Sequence, residues 1–186
     1  MNVLVCNPPW FGPGRWGLRL GADPPRLVAL EDREVPWPET LASATSFLRD
    51  HGVTAFLVDS LAVRESVASF LERIRDLSAD LVAVATCAAS LSDDLPLIRA
   101  AAELREVVVL WPGGGAGADL LLEIPGVRAV VCGEPERGLL AAALLTDRTV
   151  YPPDPLPPAD LPRPYRDYLV HRYRYPLAGL PEGPQL

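Results

Sequence analysis

The chain contains no lysine; all of its positive charge is carried by 17 arginines. That absence excludes a lysine Schiff base and a phosphate-loop lysine. With the richness in alanine, proline and arginine, it reads as codon bias of a GC-rich genome. No apolar run approaches the roughly 20 residues needed to cross a bilayer. The N-terminus lacks a basic leader region, and Asn7-Pro8-Pro9 interrupts its apolar run, so it is not read as a signal peptide and a cytoplasmic location is expected. Cysteine is scarce: Cys6, Cys87 and Cys132 are odd in number and far apart, which argues against a structural disulfide. No closely spaced set of three cysteines exists to hold an iron–sulfur cluster. A basic surface is also missing. The net charge of −7 over 186 residues argues against a nucleic-acid partner.

What the chain does have is apolar residues, 49% of the total and enough for one sizeable core. Five short apolar runs stand out: residues 3–6, 55–58, 81–85, 107–110 and 129–132. Continuous rather than alternating apolarity is what strands buried on both faces require. Helical patterns separate them. Glu39 to Asp50 places Leu41, Ala42, Thr45 and Leu48 on one face and stops at His51-Gly52. Arg64 to Leu77 repeats Val67, Phe70, Leu71 and Ile74 at helical spacing. Ser92-Asp93-Asp94 offers a cap for a helix running to Leu104, a fourth helix covers Ala118 to Glu123, and a fifth starts at Glu134-Pro135-Glu136 and runs to about Leu145.

Alternating strands and helices imply parallel pairing through right-handed crossovers. The expected fold is α/β and doubly wound, flavodoxin-like, with a five-stranded parallel sheet in the order 2-1-3-4-5 and helices on both faces. The domain is placed at residues 1–146, with 147–186 as a Pro-rich linker or arm. Asn7 to Pro38 reads as a long Gly, Pro and Trp-rich loop after the first strand.

Ligands of open parallel sheets bind at the carboxyl ends of the strands. That rule selects five loops: Asn7-Pro8-Pro9, Asp59-Ser60, residues 86–90, residues 112–115 and Gly133-Glu134. Three consecutive glycines at 113–115 exceed what a tight turn needs and suit close approach of a ligand to the backbone. A dinucleotide fingerprint is set aside, because the Gly-rich stretch follows the fourth strand and the first strand ends in Asn-Pro-Pro. His51 lies at an expected helix end, where the dipole accounts for it, and His171 sits in the tail; neither has a partner at metal-ligand spacing. Cys87 and Cys132 read as small buried apolar residues, and Glu134 and Glu136 as helix-start acids. No catalytic machinery is legible in this chain alone.

In order along the chain, these loops resemble those of one family. Val5-Cys6-Asn7-Pro8-Pro9, Arg15-Trp16-Gly17-Leu18-Arg19-Leu20-Gly21 (an Arg-x-Gly-x-Arg-x-Gly loop), Leu57-Val58-Asp59, Ala79-Asp80-Leu81-Val82, Pro112-Gly113-Gly114 and Cys132-Gly133-Glu134-Pro135-Glu136 are similar to motifs of the N-terminal cobalamin (vitamin B12)-binding domain of B12-dependent radical SAM proteins. The segment Asp160 to Leu169 resembles the stretch leading into that family's radical SAM barrel.

The resemblance implies a cobalamin-binding domain within, or acting beside, a radical SAM methyltransferase-like enzyme. It implies cobalamin held without a histidine ligand, since no Asp-x-His-x-x-Gly loop is present, and no membrane partner. The implied cofactor-binding residues are Asn7, Pro8, Arg15, Asp59, Thr86, Ala88, Ser90, Gly113, Gly114, Gly133 and Glu134. Two departures stand against it. The Gly-Gly turn lacks the family's histidine, and the chain stops at Leu186, where a cluster-binding domain is expected, so it reads as truncated or free-standing.

Two rivals remain. A divergent domain of the same fold could have lost cobalamin and act as a protein-interaction module through its tail. A flavodoxin-like or receiver-like domain with another ligand is weakened by the absence of clustered acids after the first strand and of a lysine after the fifth. Bulky side chains filling the space above Gly113 favour the interaction module; an open pocket there favours the cofactor domain.

Overall fold

The computed structural model describes residues 1–12, 15–19, 25–29, 37–113 and 115–164. Five apolar runs form strands of a parallel sheet: β1 (Asn2–Asn7), β5 (Thr54–Asp59), β6 (Leu81–Ala85), β7 (Glu106–Trp111) and β8 (Val127–Cys132). Every residue of β6 and β8 is buried, as continuous apolarity requires. Between β1 and β5 the chain forms a separate antiparallel sheet of β2 (Phe11–Gly12), β3 (Arg15–Leu18) and β4 (Arg26–Ala29), inside the stretch read as a loop.

The expected strand count and order need correction. The main sheet has six strands in the order β5-β1-β6-β7-β8-β9, with every neighbouring pair parallel. The added strand, β9 (Thr149–Tyr151), pairs with β8 through Ala129↔Thr149 and Val131↔Tyr151. It belongs to the segment read as an arm. Three half-buried residues on a sheet edge need no continuous apolar run, and that is why composition does not reveal them.

Helices cover both faces. On one, α1 (Glu39–Asp50) and α6 (Glu136–Leu144) pack Leu41, Leu48, Leu139 and Ala142 over Val3, Val5, Ala83, Val108 and Val131. On the other, α3 (Val67–Asp76), α4 (Leu91–Leu104) and α5 (Ala116–Leu122) pack Phe70, Ile74, Ile98 and Leu121 over Leu4, Val82, Val84, Val109 and Val130. The alternation of strand residues between the two clusters makes this a doubly wound, Rossmann-like α/β core.

Local sequence explains most boundaries. The helix expected from Glu39 to Asp50 has those bounds. The one expected from Arg64 to Leu77 is α3, which starts three residues later because Ser66 caps it by accepting from Ser69 N–H at 3.1 Å; a short unexpected helix, α2 (Ser60–Val63), precedes it and ends where Arg64 adopts a left-handed conformation (φ 54°). Among the described residues, no helix is long and apolar enough to cross a membrane.

Candidate functional site

The carboxyl rim of the sheet divides into two halves. At the ends of β1 and β6 the side chain of Arg19, just past β3, is buried. It forms an ion pair with Asp94, on the first turn of α4. Arg19 Nη1 donates to the Pro8 carbonyl at 2.6 Å, Nη2 to that of Pro9 at 3.4 Å, and Nε reaches Ser90 Oγ at 3.1 Å and Asp94 Oδ2 at 3.0 Å. Thr86 Oγ1 donates to the same carboxylate at 2.7 Å, and Ser90 Oγ does so at 2.5 Å. Beside them, Trp10 Nε1 donates to Asp93 at 2.9 Å, and the Arg19 guanidinium lies 5.2 Å from the Trp10 ring centre.

This half is full. Asn7 and Asp59, paired across β1 and β5, share a hydrogen bond of 3.0 Å from Asn7 Nδ2. Asp59 also accepts from the backbone N–H groups of Leu61 and Ala62, capping α2. Asn7 Oδ1 is buried with no partner. Pro8 contributes its carbonyl to Arg19, Ser90 and Thr86 are engaged by Asp94, and Arg15 and Ala88 are exposed.

The other half is open. A cleft of about 510 Å³ lies at the ends of β6, β7 and β8, on the α1/α6 face. Thr40 and Leu41 form its helix wall, Ala85, Thr86 and Leu110 its floor, and Gly133 and Glu134 its far side; among the described residues no basic side chain lines it. Gly133 is required for its backbone, since φ is +73° and a Cβ would lie 3.0 Å from Pro153. Its N–H donates to the Trp111 carbonyl at 2.9 Å. Glu134 is exposed, whereas Glu136, in the first turn of α6, is buried. Burial raises the Glu136 carboxyl above the usual range, a bond to its own backbone partly offsets this, and the charge of Glu134 pushes it up further.

Glycine at 113 has a different consequence from the one its sequence suggests. A Cβ there would lie 2.6 Å from Trp111 Nε1, so the missing side chain makes room for the buried Trp111 indole. That N–H has no partner. Gly114 lies outside the described residues.

The residues that sequence reasoning missed are Arg19 and Asp94. Arg19 stands in the quoted loop motif without an assigned role, and Asp94 was expected to cap a helix. The N-cap position belongs instead to Ser90, and Asp94 turns inward. No sequence signal links two residues 75 positions apart.

Other candidate groups have structural settings. His51 follows α1 as its C-cap, with Nδ1 2.8 Å from the Phe47 carbonyl. Cys6, Cys87 and Cys132 are free and buried, and burial raises the thiol of Cys6 and that of Cys132, keeping both protonated near neutrality. Among the described residues, no group of three or more His, Cys, Asp or Glu side chains is placed to hold a metal ion. Compared with protein-family models, with curated proteins and with solved structures, the chain matches none.

Proposed function

We propose that the chain is a cobalamin-binding domain similar to that of B12-dependent radical SAM proteins. The observation that carries this reading is the open cleft at the ends of β6–β8, where open parallel sheets take their ligands, walled by the Gly133-Glu134 segment of the quoted motif. Its volume falls in the range of about 300–1,000 Å³ usual for small-molecule sites, and its mostly apolar lining with a few polar groups suits an uncharged heterocycle.

The fit is to part of a corrinoid, with the remainder left to a second domain. Thr86, Gly133 and Glu134 are the residues that would hold the bound part, while Thr40 shapes the mouth. Bound there, cobalamin supplies methyl-transfer chemistry; the protein contributes orientation and exclusion of water. A radical SAM domain or protein is the proposed partner, and this chain supplies no cluster ligands to it.

A second reading, a divergent interaction module of the same fold, is favoured by one observation: Trp111 fills the space beside Gly113. Incubation with hydroxocobalamin, thorough desalting and an absorbance spectrum separate the two. Retained corrin bands near equal stoichiometry support the cofactor domain; a folded, colourless protein supports the interaction module.

A further inference from the structure

We propose that the Arg137–Asp154 ion pair positions one wall of the open cleft and so helps to hold its ligand; this rests on the reading of that cleft as the corrinoid site. The wall is a strap, residues 152–157, which follows β9 and passes beside the Gly133 turn. Pro153 and Pro155 of the strap line the cleft, and Asp154 stands between them in the chain. Asp154 Oδ1 accepts a hydrogen bond from Arg137 Nη1 at 2.8 Å. Arg137 is the second residue of α6, and the segment leading into that helix, Gly133 to Pro135, also lines the cleft. The pair therefore ties two lining segments together through side chains that do not themselves line it.

The composition of the strap makes such a tie matter. Four of its six residues are prolines, with no N–H to offer a neighbouring strand, so the strap cannot continue the ladder that β9 makes with β8. Its course is left to side chains. Pairing of β9 fixes one end, and the buried Leu156 anchors the other. Between them Pro153 packs against Gly133, where an added Cβ would lie 3.0 Å from the proline. A contact of this kind limits approach but attracts only weakly. The charge-assisted bond from Arg137 supplies the attraction. Proline fixes φ on each side of Asp154, so a shift at Asp154 carries both cleft-lining rings with it. The two charged side chains are 42% and 58% exposed. An exposed pair adds little to global stability, and salt weakens it. Its loss should therefore be read in ligand binding and not in unfolding.

The test is titration of the full chain with cyanocobalamin, which carries no net charge, beside urea unfolding of each variant. Arg137→Gln and Asp154→Asn should each weaken binding by about three- to fivefold, with the unfolding midpoint unchanged and the loss appearing as faster release. The parent should lose the same factor between about 20 mM and about 500 mM sodium chloride, whereas Arg137→Gln should not respond. The charge swap, Arg137→Asp with Asp154→Arg, should bring affinity back to within about twofold of the parent. A parent that takes up no corrinoid overturns the corrinoid reading and this proposal with it. A parent that binds, with single variants that match it or lose stability in step with affinity, overturns the positioning pair alone. A swap that restores nothing does the same. Should a variant fail to fold, the parent's salt response decides: binding that salt leaves unchanged overturns the pair.

Discussion

The two halves of the carboxyl rim stand on the same topology and differ in what their side chains do with it. At β1 and β6 the strand ends carry carbonyls, hydroxyls and a carboxylate, and a single arginine satisfies most of them. At β6–β8 the strand ends carry small or apolar residues, and they floor a cleft of about 510 Å³. The parallel sheet creates two potential crevices; polarity decides which one the chain closes on itself. A crevice lined by unmet acceptors is costly to leave dry, whereas an apolar one of similar size costs little. Thr86 belongs to both halves, since it lines the cleft and donates to Asp94.

The largest expected effect contrasts one bulky substitution in each half. Thr40→Trp, at the exposed wall of the cleft, should weaken corrin retention more than a hundredfold, about 3 kcal/mol. Ala88→Trp, exposed beside the closed half, should change it less than twofold; desalting followed by absorbance reads both. Equal retention in the two variants removes the cleft as the site. Next in size is Gly113→Ala. The added methyl drives into Trp111 and should lower the free energy of unfolding by about 2 kcal/mol in a urea titration, with corrin retention nearly unchanged. Loss of retention without loss of stability would mean that the glycine serves a ligand after all.

Thr86→Val removes one donor from Asp94 and should cost about 1 kcal/mol by the same titration. The smallest effect concerns Glu136. Its carboxyl is raised in the folded state, chiefly by burial, so its contribution to stability is fully present below the ordinary carboxylate range and is lost as pH rises through the folded value. Glu136→Gln should therefore be slightly more stable than the parent at neutral pH and lack that loss, as thermal melts from pH 4 to 8 would reveal. A variant less stable than its parent at neutral pH would show that the ionised carboxylate has a stabilising partner.

How legible each part was follows from how local its cause is. The buried strands announce themselves, because a strand covered on both faces must be apolar at consecutive positions, as Leu81 to Ala85 are. Helix α1 carries its own face and stop signal. The strands β2, β3, β4 and β9 do not, being two to four residues long, too short for a run of consecutive apolar positions to mark them. In the site, the Gly133 turn was visible as a glycine at a strand end. The tasks of Ser90, Gly113 and Asp94 were not, since each is set by a side chain met only in space or at the strand end beside it.

The sequence by itself determined that the protein is a doubly wound α/β chain with loops gathered at the carboxyl ends of its strands, because periodicity and alternation are properties of consecutive residues. Only the tertiary structure decided which crevice is open. That choice rests on Arg19 reaching Asp94 across 75 positions, a contact whose stability depends on burial and geometry that no local pattern encodes.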